Sequence, residues 1–402
     1  MNASQSIAMR IALITETYPP QINGVSRTLG RLTSHLASKG HELLVIHPEY
    51  RNYQYAASPD SGAISEHIRV LNMPSMALPF YQEVVLPRPP FTKYKQALIE
   101  FRPTLVHIAT EGGLGLSALK FCRKQSWPVV SSFHTNFDAY ARHYRMSWTV
   151  PIVARYLKWF HNNTLATYVP SPSIINRLQE LGFKRLHLWP RGVDTSLFQP
   201  DRLGAKAVRE QFLIPLDAIV VGHCGRLAAE KNIDYLGDAL AIVLEQNPEI
   251  HCLIVGDGPA RASLETRLDS IPQATSRIHF TGYLTGHLLA DAYSAMNLFA
   301  FSSRTETFGN VLLEAMASGL PVVALADGGP SDVVQDGQTG TLLPPETPAV
   351  EMANVINHWS ADQNLRTRLS SGARVYAKSQ TWERIMDQLI RDYETVLEHN
   401  QL

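Results

Sequence analysis

Short apolar runs alternate with helical patterns along most of the chain. In the first half, strand-like runs lie at 9–16, 42–47, 105–109 and 128–133, and segments between them, such as 26–39, follow a helical period. Continuous apolar runs are typical of strands that are buried on both faces of a parallel sheet. The alternation therefore predicts an α/β fold in which helices cover a parallel sheet on both sides.

The same pattern starts again in the second half, after a turn-rich stretch at 191–200. Further strand-like runs lie at 219–224, 251–255, 278–280, 298–301 and 321–325. We predict two domains, residues 1–192 and 193–376, and a C-terminal helix over 377–402. Residues 74–90 are rich in proline, and we predict that they are irregular.

The composition is that of a globular protein of balanced charge. The 402 residues are 45% apolar, which is enough for two domains with separate cores. Basic and acidic residues number 36 each, so a nucleic acid is not an expected partner. The three cysteines lie far apart in apolar surroundings, which indicates buried thiols in a reducing compartment. No signal peptide or apolar run of about 20 residues stands out, so we expect a cytoplasmic protein.

One segment, 302–319, places two carboxylates around the start of a helix. Glu306 lies in a loop after the apolar run 298–301, and Glu314 lies inside the helix. Free backbone N–H groups at 307–310 would attract a phosphate. The pattern fits a cradle for a nucleotide sugar, with the ribose on Glu314 and the hexose on Glu306. An ordinary amphipathic helix with one solvated glutamate fits the same segment equally well.

Polar and glycine residues also follow other strand-like runs. Arg226 and Lys231 come after the run 219–224, at a spacing that lets a guanidinium and an ammonium converge on a diphosphate. Two surface cations near a helix start are the simpler alternative. Gly256 leaves room for a nucleotide, although a tight turn explains it equally well. Tyr283 could help to line a base pocket.

In the first half, the candidates are a histidine and a glycine. His134 ends the run 128–133, where it could bind a sugar or share a developing charge, although a lone histidine is more often structural. Gly24 lies in a loop without the G-x-G-x-x-G pattern, so we expect no classical dinucleotide site. No D-x-D motif or metal-binding histidine spacing is present. We therefore expect Arg226, Lys231 and helix N-termini to neutralise a diphosphate without a metal.

These motifs resemble those of a known enzyme family. The stretch E-T-F-G-N-V-L-L-E-A-M-A-S-G is similar to the donor motif of retaining glycosyltransferases of the GT-B fold, family four. The family's glycine loop resembles T-E-T-Y-P-P-Q-I-N-G-V. The stretches G-R-L-A-A-E-K-N, V-G-D-G-P, F-T-G-Y-L and R-G-V-D-T-S-L-F-Q-P also match, so the resemblance covers nearly the whole chain. The most similar branch includes GDP-mannose-dependent α-mannosyltransferases and sulfoquinovosyl-diacylglycerol synthases.

The resemblance implies a fold and a reaction. Two Rossmann-like domains would face each other across a cleft, with 1–192 on the acceptor side and 193–376 binding the nucleotide sugar. The C-terminal helix would return to the N-terminal domain. The enzyme would be a retaining hexosyltransferase that moves a mannose or glucose-type sugar from GDP-mannose or a UDP-hexose to a lipid or glycan hydroxyl. No cofactor and no metal would be needed.

The resemblance also implies residue roles. Gly24 would approach the diphosphate, and His134 would contact the donor hexose. Arg226 and Lys231 would bind phosphates, and Glu306 would hold hexose hydroxyls. The remaining donor contacts would come from Gly256, Tyr283, Phe308, Gly309, Asn310, Val311 and Glu314. Many relatives have a second glycine where this chain has Asn23, which bears on how the glycine loop fits the donor.

Two alternative functions and one partner stay open. A nucleotide-sugar epimerase of the same fold, or an inactive nucleotide-sugar-binding homologue, would share much of the motif set. Residues 88–158 contain eleven Lys and Arg but three Asp and Glu. Aromatics interleaved with these charges or directly after them include Phe91, Tyr94, Tyr144, Trp148, Tyr156, Trp159 and Phe160. Such a surface suits an anionic membrane, on whose inner face the enzyme would be peripheral, whereas core aromatics with solvated cations are the alternative.

Overall fold

The computed structural model describes residues 8–21, 23–50, 66–78, 81–89, 91–134, 150–272, 274–306 and 308–400. The chain divides into two units. The first comprises Met1–Pro190 with Ile385–Leu402, and the second comprises Arg191–Arg384. Each unit is built on its own parallel sheet, so the predicted α/β fold with two parallel sheets is confirmed.

The first unit holds a seven-stranded parallel sheet. The described strands of the whole unit are β1 (Arg10–Ile14), β2 (Glu42–Pro48), β3 (Ile68–Met73), β4 (Ser75–Leu78), β5 (Tyr81–Pro87), β6 (Leu105–Ile108), β7 (Val129–Ser132), β8 (Thr167–Val169) and β9 (Leu186–Leu188). All of these except β4 and β5 belong to the seven-stranded sheet. The order in the sheet is β3-β2-β1-β6-β7-β8-β9. Its interior strand β1 is apolar and buried along almost its whole length, because both faces of the sheet are covered.

Strands β4 and β5 correct the prediction that residues 74–90 are irregular. They pair antiparallel as a separate two-stranded sheet. Pro74 directly precedes β4 and Pro87 ends β5, and proline is tolerated at strand ends because no ladder hydrogen bond is lost there. The proline content therefore marked the ends of two strands and not an irregular segment.

Five described helices lie in the N-terminal segment of the first unit, Met1–Pro190. They are α1 (Gly24–Ser38), α2 (Lys93–Phe101), α3 (Gly113–Lys124), α4 (Val150–His161) and α5 (Pro172–Glu180). Helix α4 was not predicted from the sequence. None of the helices in the described ranges is both long and apolar enough to cross a membrane.

The second unit holds a six-stranded parallel sheet. Its strands are β10 (Ile219–Cys224), β11 (Ile250–Val255), β12 (Ile278–Gly282), β13 (Leu298–Phe301), β14 (Val322–Leu325) and β15 (Gly340–Leu343), in the order β12-β11-β10-β13-β14-β15. The described helices are α6 (Gly204–Gln211), α7 (Ile233–Gln246), α8 (Arg261–Asp269), α9 (Gly286–Ser294), α10 (Asn310–Ala317), α11 (Gly329–Val333), α12 (Ala349–Ala361) and α13 (Gln363–Ser379).

The last helix, α14 (Trp382–Asn400), starts in the second unit and belongs to the first from Ile385 onward. Within the first unit, Asp387 accepts hydrogen bonds from His35 Nε2 at 2.7 Å and Lys39 Nζ at 3.0 Å. Tyr393 is fully buried. The C-terminal helix is therefore part of the N-terminal unit, as the resemblance implied.

Each sheet has one place where the strand order reverses direction. In the first unit this switch point lies between β1 and β6, and in the second it lies between β10 and β13. Open parallel sheets bind ligands beyond the carboxyl ends of the strands at such points, because neighbouring loops diverge there and leave a crevice. The fold therefore predicts ligand-binding residues at these two switch points.

Candidate active site

Lys231 and Glu306 meet at the switch point of the second unit. Lys231 ends a 3₁₀ turn, Ala229–Lys231, in the loop after β10, and Glu306 lies in the loop after β13. The Lys231 Nζ and a Glu306 carboxylate oxygen form an ion pair, and each side chain is 23% exposed. The structure thus brings together two residues that lie 75 positions apart in the sequence.

Hydrogen bonds outside the ion pair hold the same two loops together. The Ser302 hydroxyl donates to the Lys231 carbonyl at 2.9 Å, and the Asn232 amide donates to the Ser302 carbonyl at 3.3 Å. The Thr305 hydroxyl donates to the Glu230 carbonyl at 3.0 Å. The two backbones are fixed by these contacts, so the placement of Lys231 beside Glu306 does not depend on the ion pair alone.

Arg226 lies in the same loop but does not point the same way. Its side chain is 60% exposed and its guanidinium contacts the Glu230 carboxylate, an i,i+4 pair. Exposed pairs of this kind are worth little, so the guanidinium can be recruited elsewhere at small cost. Convergence of Arg226 with Lys231 on a diphosphate stays a prediction.

The N-terminus of α10 follows Glu306 directly. Gly309 precedes the helix in a left-handed conformation with φ 86°, and no side chain in the described part of the chain caps it. A Cβ on Gly309 would lie 2.9 Å from Leu312 Cδ1. Phe308 is buried, and the buried Asn310 Oδ1 has no partner among the described residues. The predicted N–H donors of 308–311 therefore lie at a helix start, whereas Thr307 lies outside the described residues.

The loop that carries Glu306 rests on two glycines after β14. Gly329 donates its N–H to the Glu306 carbonyl at 2.9 Å. A Cβ on Gly328 would lie 2.7 Å from the Glu306 carbonyl oxygen, and one on Gly329 would lie 2.5 Å from the Phe308 backbone. Only glycine fits this approach. No role for these glycines was predicted from the sequence, although a glycine pair directly after a strand could have indicated a close backbone contact.

Glu314 is buried inside α10 and has a partner that the sequence did not indicate. Glu314 is only 6% exposed. The Tyr293 hydroxyl of α9 donates a hydrogen bond to Glu314 Oε2 at 3.2 Å. Burial, followed by the nearby Cys224 and Glu314, raises the pKa of Tyr293 well above its usual value. The phenol therefore stays protonated and keeps its donor role towards the carboxylate.

Gly256 and Tyr283 lie beside the loop after β10. Gly256 has φ 129°, and a Cβ there would lie 1.9 Å from the Gly225 carbonyl oxygen. Tyr283 is 67% exposed and donates to the Asp257 carbonyl at 2.8 Å. The tight packing of backbone against backbone explains the glycine in this structure, and the donor-binding roles of both residues stay predictions.

In the first unit, Gly24 begins α1 at the switch point. The preceding Asn23 accepts a hydrogen bond from Ser26 N at 2.8 Å, so it is the N-cap of the helix. Its side-chain amide also donates to the Thr17 hydroxyl at 2.8 Å. The asparagine that departs from the family's double glycine thus has a structural role, because it fixes the start of α1 and the loop before it.

His134 follows β7 and is half-buried. Its Nε2 lies 2.9 Å from the Ser132 hydroxyl, and its ring packs edge-on against Trp189 with 6.0 Å between centroids. The rest of the H-T-N-F stretch lies in 135–149, outside the described residues. Cys122, Cys224 and Cys252 are all buried thiols that form no disulfide, as predicted.

Two Rossmann-like units, one of which joins a lysine and a carboxylate near a helix start, fit the class of nucleotide-sugar glycosyltransferases. The family model described as Glycosyltransferase Family 4 matches residues 22–197, and the one described as Glycosyl transferases group 1 matches 205–376. The chain belongs to this glycosyltransferase family and has the GT-B fold.

Named relatives span the whole chain. It is 34% identical to a GDP-mannose-dependent alpha-mannosyltransferase of Mycolicibacterium smegmatis, over 98% of this chain and 99% of that one. It is 31% identical to a sulfoquinovosyl transferase of Arabidopsis thaliana, over 85% of this chain and 65% of that one. The solved structure of sucrose-phosphate synthase from Thermosynechococcus elongatus superposes with a TM-score of 0.76 and 25% identity, over 97% and 99% of the two chains.

Proposed function

We propose that this glycosyltransferase moves mannose from GDP-mannose to a hydroxyl of a lipid or glycan, with retention at the anomeric carbon and without a metal. The observation that carries the proposal is the contact between Lys231 and Glu306 in the loops at the β10–β13 switch point. Similarity to a protein named a GDP-mannose-dependent alpha-mannosyltransferase supports this choice of donor.

The donor would be divided among groups of opposite character. Lys231, Arg226 and the N–H groups at the start of α10 would bind the diphosphate, because they are the positive groups at this edge. Glu306 would accept hexose hydroxyls, and Glu314 would accept the ribose hydroxyls while Tyr293 holds its other oxygen. Donor binding would thus replace the Lys231–Glu306 ion pair by a phosphate on one partner and a hydroxyl on the other.

The chemical step separates charge. When the anomeric C–O bond breaks, negative charge grows on the departing diphosphate, and fixed positive groups stabilise that state more than the ground state. We propose front-face substitution, in which the acceptor hydroxyl attacks on the side that the diphosphate leaves. In the first unit, Gly24 and His134 would contact the donor diphosphate and hexose.

Ligand-dependent melting would identify the donor. A ligand that binds only the native state at about 100 times its Kd stabilises it by about 2.7 kcal/mol, which is several °C for a unit of this size. We expect GDP-mannose to raise the Tm more than UDP-glucose and other UDP-sugars do. A larger shift with a UDP-sugar would replace the proposed donor.

Turnover assays would then test the reaction itself. With GDP-mannose and a lipid or glycan acceptor, we expect an α-linked product and unchanged rates in excess EDTA. Release of an altered nucleotide sugar without an acceptor would instead identify an epimerase. Loss of activity with EDTA that Mg²⁺ restores would contradict the metal-independent mechanism.

We also propose that the enzyme works at the inner face of an anionic membrane. Helix α4 exposes Ile152 (62%), Arg155 and Trp159 (42%) on one side, since these residues are three and four positions apart. Its other side buries Leu157 and Phe160. An apolar and basic exposed face suits the membrane interface.

The burial of individual side chains reduces the number of aromatic residues from the sequence that could contact a membrane. Tyr94 and Phe160 are buried in the core, and Tyr144 and Trp148 lie outside the described residues. The membrane proposal therefore depends on Trp159 with its neighbours on α4 and not on the whole aromatic group.

Flotation with vesicles tests the membrane proposal. We expect the enzyme to float with phosphatidylglycerol vesicles at low salt and not with phosphatidylcholine vesicles. The double variant Ile152→Ser, Trp159→Ser should lose most of this binding. Leu181→Ser is the matched control, because Leu181 is equally exposed (42%) in the same unit but lies outside α4. Equal binding by both variants would contradict the proposal.

A further inference from the structure

A line of hydrogen bonds runs from the C-terminal helix to His134. Tyr393 of α14 has its hydroxyl 2.7 Å from His107 Nδ1. His107 Nε2 lies 3.0 Å from the Ser132 hydroxyl, which in turn lies 2.9 Å from His134 Nε2. Tyr393, His107 and Ser132 are fully buried. Four side chains of the first unit are thus joined in series, and the last of them is a residue with a proposed donor contact.

The direction of these hydrogen bonds follows from what each group can donate. Among the described residues, the Tyr393 hydroxyl has only His107 as a partner. If His107 donated to it, the phenol proton would be buried without an acceptor, which is the costly state of a buried donor. Tyr393 therefore donates to His107 Nδ1.

The remaining bonds then have only one consistent arrangement. A neutral histidine that accepts at Nδ1 carries its proton on Nε2, so His107 donates to the Ser132 hydroxyl. The serine proton must then point to His134 Nε2. Burial lowers the pKa of His107 to about 3, which agrees with a neutral ring. His134 consequently accepts at Nε2, and its own proton is on Nδ1.

We propose that Tyr393, acting through His107 and Ser132, is a positioning residue that fixes the tautomer of His134 with the proton on Nδ1. The proposal rests on the proposed function in one respect, the contact between His134 and the donor hexose. In that contact, Nδ1 would be a hydrogen-bond donor to a sugar oxygen and Nε2 would be unavailable. A helix near the end of the chain thereby sets the polarity of a donor contact made after β7.

Tyr393→Phe, compared with Tyr168→Phe, isolates this role. Tyr168 is also fully buried and its ring centroid lies 5.6 Å from that of Tyr393, but its hydroxyl has no hydrogen-bond partner in the described part of the protein. Each variant removes one phenol oxygen from this group of buried aromatic side chains. Only Tyr393→Phe breaks the series of hydrogen bonds to His134. Ser132→Ala breaks it at a second place with Tyr393 intact.

The tautomer can be read directly from ¹⁵N NMR of histidine-labelled enzyme, with the His134 signals assigned from His134→Gln. We expect Nδ1 protonated and Nε2 unprotonated in the wild type and in Tyr168→Phe. Tyr393→Phe and Ser132→Ala should both give signals averaged between the two tautomers. Nε2 protonation in the wild type, or an unchanged His134 signal in Tyr393→Phe, would overturn the proposal.

Activity provides a second measurement. Loss of one such hydrogen bond should lower kcat roughly 3–10-fold in Tyr393→Phe and in Ser132→Ala. The double variant should lose no more than either single one, because both break the same series. Additive losses, or an equal loss in Tyr168→Phe, would indicate a packing effect and contradict the role. Full activity of His134→Gln would instead contradict the proposed donor contact, while the NMR result would still decide the tautomer.

Discussion

The two switch points have the same topology but opposite chemistry. Helix α3, which follows β6 in the first unit, already has an anion at its start, since Glu16 Oε1 accepts the Leu114 N–H at 3.0 Å. Helix α10, which follows β13 in the second unit, has Gly309 as its N-cap and no side-chain cap from any described residue. A helix N-terminus attracts a phosphate only while its N–H groups are free.

The charged side chains differ in the same sense. In the first unit, Glu111 accompanies Glu16 and lies 3.0 Å from His161 Nε2. In the second unit, Lys231 accompanies Glu306. Carboxylates repel a diphosphate and accept hydroxyls, whereas a lysine attracts the diphosphate. The topology of the sheet therefore determines where a ligand can bind, and the side chains of the loops determine which ligand binds there.

Lys231→Ala should have the largest effect of the changes that test this comparison. Removing one group that stabilises charge in the transition state typically costs about 10²–10³-fold in rate. We expect that loss in kcat with GDP-mannose, and a Tm within about 2–4 °C of that of the wild type, because a partly exposed ion pair contributes about 1 kcal/mol or less.

Lys206→Ala is the matched control for the lysine. Lys206 also pairs with a glutamate, at 3.6 Å from Glu210, but it is 68% exposed on α6 and away from the switch point. Its kcat should equal that of the wild type. Turnover of Lys231→Ala close to that of Lys206→Ala would remove the chemical difference between the two edges.

Gly309→Ala should have the next largest effect. An alanine at φ 86° costs about 1–2 kcal/mol, and its Cβ also meets Leu312, so the first turn of α10 must shift. Because the N–H groups move with that turn, donor affinity should fall about 10-fold in a titration of GDP-mannose.

Gly337→Ala separates strain from position. Gly337 has φ 71° in the same unit, and a Cβ there meets nothing within 4 Å. It should show the backbone cost in its Tm with unchanged donor affinity. If both variants bound the donor as the wild type does, the start of α10 would not be part of the donor site.

Features encoded within a few residues could be predicted from the sequence. The apolar runs predicted the parallel strands, and Lys231, Glu306 and Glu314 became candidates because each stands shortly after or within such an element. Charge and position along one segment are sufficient for that inference. The contact between Lys231 and Glu306 follows from topology, since both of their strands meet at one switch point.

Partners that come from distant segments could not be predicted. Tyr393 lies 286 positions from His107, and nothing near either residue signals the other. Tyr293 is an ordinary core tyrosine in its own helix, and its hydrogen bond to Glu314 depends on how α9 packs against α10. Such contacts are set by tertiary packing, which single-sequence patterns do not encode.

Glu16→Gln should have the smallest effect and tests the first unit. Burial, opposed in part by the Leu114 N–H and assisted by the charge of Glu111, raises the pKa of Glu16 above its usual value of 4.5. The folded state therefore binds the Glu16 proton more tightly than the unfolded state does. The free energy of unfolding of the wild type consequently falls as pH rises through the range above 4.5. Glutamine has no such loss and can still accept the N–H.

The expected result is a pH-dependent difference in melting temperature. The Tm of Glu16→Gln minus that of the wild type should rise between pH 4.5 and 7.5, because only the wild type loses stability over that range. Glu180→Gln, at an exposed glutamate of the same unit, is the matched control. Donor affinity should not change, because the start of α3 is taken by a side chain. A marked change in GDP-mannose affinity would mean that the start of α3, like that of α10, binds the diphosphate, and the two helix starts would then be alike in chemistry as well as in topology.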